Sequence, residues 1–302
     1  MAGKKRSSRR WTRLIGGLLG LGIVWGFYVS RTSDKEIGAA SLHEAKRLFE
    51  YTELLPSGEG EIVRHIYYTL SFNSRHKQAN WVYYTLELEG KERVAERTDR
   101  FREDKKVSSG SAKPSDYIKS GYDRGHLCPA ADMAHSAEAM EETFLMSNIS
   151  PQLPVFNRGI WKSLEKLVRD WGEKERIYVV TGPVFKDNKG KIGRTGVTVP
   201  GFFYKVVYAP GARQMIAFVL PHTKEKRQLR DYVVTVDSVE RLTNIDFFSQ
   251  LPDTLENRLE AAVDCIYVDE ADMLNVAMFG MTAPMWCEQH PELKRNIRDY
   301  IP

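Results

Sequence analysis

Apolar residues recur along this chain in two periods, and the two periods divide it. In IVRHIYYTLSFN (62–73) and NWVYYTLELE (80–89), β-branched and aromatic residues alternate loosely with polar ones, which predicts two strands. The polar stretch SRHKQA between them reads as a hairpin connection, so His65 and His76 fall on strand and turn positions. Farther on, Ile160, Trp161, Leu164, Leu167, Val168 and Trp171 form one stripe at helical spacing, with Asn157 near its start. Shorter apolar runs predict strands in RIYVVTGPVF, GFFYKVVYAP and QMIAFVLPH. Helices are expected from Ser136 to a turn at Ser147, in VDSVERLTNIDFF with a capped start, and in TLENRLEAAV. Residues 90–120 are charged, then rich in Ser and Gly, and read as an exposed loop; residues 265–302 show no clear pattern. Strands early and late with helices between them predict the α+β class.

One apolar run has neither period. LIGGLLGLGIVWGFYVS, Leu14 to Ser30, is apolar all round and follows a basic flank. Basic flank first and apolar run second is the order of a signal anchor or a signal peptide. The nearest small-residue cluster, Gly38-Ala39-Ala40-Ser41, lies far downstream for a cleavage site, which favours an uncleaved anchor. The body is then membrane-anchored outside the cytoplasm, periplasmic or extracellular, or secreted if the signal is cleaved. The expected organisation is a segment over 1–33, a linker over 34–60, a main domain over 61–264 and an extension over 265–302.

That flank also distorts the charge. The net charge is +4, but residues 1–33 hold seven Lys and Arg and no acid. Without those seven, 37 basic residues face 40 acidic ones, net −3, over residues 34–302. Nucleic-acid binding by general basicity is therefore excluded for the body. A local patch, or a metal ion bridging to phosphate, remains. Three cysteines, Cys128, Cys265 and Cys287, leave at least one free thiol; Cys265 and Cys287 could pair. Cys128 and His135 could supply two zinc ligands, but no C-x-x-C is present, and a buried inert thiol is the simpler expectation.

The candidate chemistry lies in GYDRGHLCPA, residues 121–130. An arginine two residues from a histidine is a poor core element, because its fixed charge holds an unpaired imidazole neutral. That pairing suits work on an anion, with one group taking a proton and the other facing negative charge. Asn148 follows His126 by 22 residues, in MSNISPQ, and Asn157 follows it by 31, in FNRGIWKSLE, which also carries Glu165. Each alone is weak: a lone histidine is more often structural, a helix glutamate solvated and an asparagine a cap.

Together, DRGHL, SNISPQ, FNRGIWKSLE, VVTGPVF, VPGFFYKVV and VERLTNIDFF, in this order from about Arg97 to about Phe248, resemble the DNA/RNA non-specific endonucleases, the endonuclease-G-like branch of the ββα-metal nucleases. The resemblance implies a ββα-metal (His-Me finger) fold. A central, mostly antiparallel sheet is flanked by helices, and the histidine ends the first strand of a hairpin packed on the asparagine-bearing helix. It implies Mg²⁺, with Mn²⁺ as a substitute, and DNA and RNA as substrates. His126 is then the general base, and Asn157 the one side chain directly on the metal. Glu165 holds a metal-bound water or steadies the leaving-group side, Arg124 faces the phosphate and Asn148 supports the site. Arg100 matches a second phosphate-contacting arginine, with Arg97 as its rival. A homodimer and an inhibitor protein are further expectations of the family. His135, His222 and His290 have no part in the pattern and read as structural or solvated. Two other readings remain open: a catalytically inactive nucleic-acid-binding or scaffold protein on the same fold, and a phosphodiesterase for another anion.

Overall fold

The computed structural model describes residues 54–225 and 227–261. The apolar run Leu14–Ser30, the expected linker up to residue 53, Cys265, Cys287, His290 and the extension over 265–302 lie outside the described residues. Among the described residues, no helix is long and apolar enough to cross a membrane.

Eleven strands and four principal helices make up the described chain. The strands are β1 (Glu61–Arg64), β2 (Thr69–Asn73), β3 (Gln78–Leu86), β4 (Asp123–His126), β5 (Ile149–Gln152), β6 (Ile177–Val184), β7 (Lys191–Ile192), β8 (Val197–Thr198), β9 (Phe202–Ala209), β10 (Gln214–Pro221) and β11 (Val233–Val234). The helices are α1 (Ala137–Glu142), α2 (Lys162–Gly172), α3 (Val236–Thr243) and α4 (Asp253–Ala261). Seven strands form one sheet in the order β1-β2-β3-β6-β9-β10-β11, with antiparallel pairing throughout. The expected central antiparallel sheet is therefore present, within a mixed α/β architecture.

The sheet is covered on both faces, and the strands show why. On β10, Ile216, Phe218 and Leu220 enter one apolar cluster, while Met215, Ala217 and Val219 enter the other. That is the two-residue period of a pleated strand, with apolar residues at both phases. The first cluster gathers Trp161, Leu164, Val168 and Trp171 from α2 and the turn before it, with Leu127 and Cys128 after β4. The second gathers Val236, Val239 and Leu259 from α3 and α4. Each fully buried large side chain contributes about 1.5–3 kcal/mol. α1 follows Ser136 as expected, and the Ser136 side chain caps it by accepting from Ala139 N, whereas α3, expected to start with a cap, has no side-chain cap at Thr235.

Three expectations need correction. The run 62–73 is not one strand: β1 and β2 turn back on each other, with Arg64 paired to Thr69 and His65 in the bend. Residues 54–60 are not a free linker, because Leu54 and Leu55 pack on the second cluster and Ser57 N donates to Asp246 O. The loop over 90–120 is not simply exposed either. Asp104, Val107, Ser111, Ala112, Asp116 and Tyr117 are buried. Carboxylates pin it: Asp104 accepts from His65 and Ser147, and Asp116 accepts from the backbone of Lys113, Arg194 and Thr195.

Candidate active site

β4 is DRGH and pairs antiparallel with β5, so that His126 ends its strand opposite Ile149. Neither strand has an alternating pattern; cross-strand pairing makes them. Gly125 is required because a Cβ there would run into the Gln152 carboxamide of β5. Asn148 stands just before β5 and clamps the chain beyond His126. Its Oδ1 accepts from Cys128 N at 2.8 Å, and its Nδ2 donates to Cys128 O and Thr143 O, both at 2.9 Å. Every arm of that amide is spent on backbone, in a fully buried position.

The other wall is helical. Pro154–Phe156 form a short turn that passes through a wider π turn, Asn157–Trp161, into α2, with a kink at Gly159. Such turns often re-aim a side chain at a functional site. His222 fixes the start of this unit: its Nε2 accepts from Leu153 N at 2.7 Å, and its Nδ1 lies 2.9 Å from Pro200 O. It is fully buried, and burial pushes its pKa down to about 4, so it is a neutral structural histidine as expected.

Between the walls lies a cavity of about 830 Å³. Its lining includes His126, Arg124, Asn157, Glu165 and Arg97, together with Asp123 and Arg158. The structure thus brings together four of the six residues singled out from sequence. Arg100 is outside the lining: its side chain is 74% exposed and its Nη2 lies 3.5 Å from Glu141, whereas its rival Arg97 lines the cavity. Asn148 is likewise buried behind His126 rather than in the cavity.

The groups in the cavity are differently poised. His126 is 7% exposed and packs edge-on to Phe144 at 5.0 Å, with Phe101 at 5.6 Å. Burial, aided by the Arg97 cation, pushes its imidazole down to about 3, so it is neutral at any ordinary pH. Its Nε2 has no hydrogen-bond partner among the described residues. Arg124 donates from Nη2 to Pro114 O and lies over the Phe101 ring at 5.2 Å, leaving Nε unpartnered. Asp123 holds two cavity residues at once: Asn157 Nδ2 donates to it at 3.0 Å, and Arg158 grips it with two bonds. Burial pushes Glu165 up to about 7, while the nearby Lys205 cation pulls the other way.

Sequence reasoning missed the groups behind Glu165. Lys205 is fully buried on β9, its Nζ without a hydrogen-bond partner among the described residues, 5.2 Å from the Trp161 ring and 5.8 Å from the Tyr84 ring. Asp132, 1% exposed, accepts from Arg169 at 2.8 Å and from the Tyr84 hydroxyl at 3.1 Å. The available signal was a lone lysine in the apolar strand GFFYKVVYAP. Cys128 is a buried free thiol, pushed up by burial, as the inert reading expects.

The family model described as DNA/RNA non-specific endonuclease matches residues 47–254. A nuclease of Nostoc sp. is 37% identical over 212 residues, covering 65% of this chain and 76% of its own. Human mitochondrial endonuclease G is 35% identical over 198 residues, 60% of this chain and 67% of its own. Among solved structures, an EndoG in complex with EndoGI, described as showing the mechanism of EndoG inhibition, superposes with a TM-score of 0.57 at 31% identity. That match covers 65% of this chain and 88% of the other.

Proposed function

Since the chain belongs to the DNA/RNA non-specific endonuclease family, and is therefore a phosphodiester hydrolase, we propose that it is a Mg²⁺-dependent, sugar-non-specific endonuclease with His126 as general base. The observation that carries this reading is the buried, unpartnered Nε2 of His126 at the wall of a cavity lined with arginines. A buried imidazole nitrogen without a protein partner is costly unless something else binds it. A water positioned against a phosphodiester is that partner.

The residues fit a hard divalent cation. Asp123 can only accept, so the amino end of the Asn157 amide must face it, which leaves Oδ1 for the cavity. Glu165 adds a carboxylate. An amide oxygen and a carboxylate suit Mg²⁺, which keeps most of its waters and needs few protein ligands, and Mn²⁺ has the same preference. When bound, the ion supplies Lewis-acid stabilisation of the phosphoryl and leaving oxygens.

The chain's own groups do the rest. His126 Nε2 accepts a proton from the attacking water. Arg124 and Arg97 place fixed positive charge where the phosphorane gains negative charge. The arriving phosphate also offsets the Arg97 cation, so the proton affinity of His126 rises as substrate binds. Contacts confined to phosphate carry no base information, which accounts for weak sequence preference. The basic flank and apolar run at residues 4–30 support placing the domain outside the cytoplasm, anchored or secreted. A homodimer, and inhibition by a dedicated protein as in the EndoG complex, belong to the same reading.

The test is digestion of plasmid DNA and of RNA by the protein with Mg²⁺, with Mn²⁺ and with EDTA, beside His126→Ala. Cleavage of both substrates that needs the metal and vanishes in the variant is expected. A folded wild-type protein that binds nucleic acid and cleaves neither overturns the reading in favour of an inactive binding module.

A further inference from the structure

Among the described residues, Lys205 is the one lysine that is fully buried, and no step at His126 uses it. It stands on β9 between Phe203 and Val207, on the phase of the strand that faces the first apolar cluster. A methionine of nearly the same length would fill that place with no ammonium to desolvate. The charge is therefore a cost to the core, and its effect lies in the groups around it.

Those groups are two rings and two carboxylates. The Nζ lies 5.2 Å from the centre of the Trp161 ring and 5.8 Å from that of Tyr84, both within reach of a cation–π attraction. It makes no hydrogen bond among the described residues. Burial lowers the Lys205 pKa, and the carboxylate of Glu165 first, then that of Asp132, works against that shift. Each ring leads to a different part of the cavity wall. Trp161 ends the π turn that begins at Asn157, and it stacks at 5.6 Å on Phe156, the residue before that turn, so the two ends of the turn are closed on each other. Phe203, two residues before Lys205 on β9, packs on both of these rings. Tyr84 donates through its hydroxyl to Asp132, six residues beyond His126, at 3.1 Å, and Asp132 accepts from Arg169 at 2.8 Å. Arg169 lines the cavity, as do Asn157 and Glu165, whereas Lys205 does not.

We propose that Lys205 is a positioning residue for the phosphodiester cleavage inferred above, a role that rests on that reading: its cation, attracted to both rings, sets the π turn that carries Asn157 against the Tyr84–Asp132–Arg169 chain. Trp161 comes from the turn before α2 and Tyr84 from β3, and the ammonium between them holds both. Lys205 touches neither substrate nor metal, so its effect falls on geometry. Loss of the cation loosens the turn, and a displacement of Asn157 on the order of 1 Å is enough to slow the chemistry strongly.

The test is Lys205→Met in the full chain, which keeps the length of the side chain and removes its charge. It is read by hydrogen–deuterium exchange of the metal-free protein and by cleavage rates against Mg²⁺ concentration. Exchange over residues 156–161 is expected to quicken at least about tenfold while β9 and β10 keep wild-type protection. In step with this, kcat and metal affinity fall about 10–100-fold, with KM for nucleic acid within about twofold. Trp161→Phe keeps a ring in the stack but offers the cation a weaker face. It is expected to move the same segment by a smaller factor, and it decides the matter where Lys205→Met does not fold. Adding Glu165→Gln to Lys205→Met separates positioning from charge balance: the exchange stays fast. Recovery of wild-type exchange in that double variant means that Lys205 only neutralises Glu165, and overturns the proposal. An unchanged 156–161 segment in either single variant overturns it too, as does a loosened turn with wild-type kcat. A wild-type protein that cleaves neither DNA nor RNA overturns the endonuclease reading instead, and exchange then decides alone whether Lys205 positions the cavity wall.

Discussion

Asn157 Nδ2 donates to Asp123 Oδ2 at 3.0 Å, and through this bond the first residue of the DRGH strand sets which end of the Asn157 amide faces the cavity. The same carboxylate holds Arg158 by two bonds of 2.7 and 2.8 Å. Hydrogen bonds from these two groups outweigh the effect of burial and keep Asp123 below the ordinary carboxylate range. Asp123→Ala frees the amide to turn its amino end inward. A loss of about 10–100-fold in metal affinity is expected, with the melting curve little changed. Activity measured against metal concentration checks it: a variant whose half-saturating metal concentration is unaltered removes Asp123 from this role.

Arg97 and Arg100 are three residues apart, yet only Arg97 lines the cavity. Arg97→Ala is expected to reduce kcat/KM about tenfold or more and to lower the salt slope of nucleic-acid binding by about one. Arg100→Ala should stay within about twofold. A pH shift accompanies the first variant. The Arg97 cation lowers the His126 pKa, so its removal raises that pKa. His126 is then protonated at higher pH, and with His126 as the proposed base the acid limb of kcat/KM is expected to move upward. An acid limb that stays in place while the rate falls separates charge on the phosphate from any effect on His126.

Much of the fold was legible because burial imposes a period. β10, with apolar residues at both phases, and α2, with its stripe from Ile160 to Trp171, declare themselves. The hairpin of β4 and β5 does not, because DRGH and ISPQ owe their conformation to each other. The Arg97 and Arg100 alternatives stayed open for a related reason: an irregular segment has no period to say which side chain turns inward. Lys205 was hidden within a strand whose neighbours are all apolar, so its meaning depends on Trp161 and Tyr84, which come from distant parts of the chain.

Asn148 and His126 should separate by kind of damage. Asn148→Ala leaves Cys128 N, Cys128 O and Thr143 O buried without that partner. At about 1–3 kcal/mol for each unsatisfied group, with incomplete additivity, a loss of about 3–4 kcal/mol is expected. Activity should then fall together with the folded fraction. His126→Ala removes a side chain whose Nε2 bonds nothing among the described residues, so its stability change is small beside a loss of cleavage of at least about 10²-fold. Urea melts and initial rates on the same preparations tell the two apart. A stable Asn148→Ala protein without activity places Asn148 in the chemistry itself.

Asp104 gives the fold a pH dependence of its own. Burial alone would raise its pKa, but bonds from His65 Nε2 at 2.9 Å, Ser147 Oγ at 2.6 Å and Lys106 N at 2.9 Å outweigh it, and the net shift is downward. A carboxylate with a depressed folded pKa contributes stability that is fully present above its unfolded pKa, near 3.9. That contribution is lost as pH falls through the folded value. Ser147 directly precedes Asn148, so the loss reaches the clamp behind His126. Asp104→Asn is expected to cost about 2–3 kcal/mol at pH 7, since it weakens two buried side-chain bonds and a charge. The gap to wild type should close as pH drops below about 4. Thermal melts of both proteins across pH 2.5–8 measure it. A gap that persists unchanged at pH 2.5 means that packing, and not the ionised carboxylate, carries the contribution.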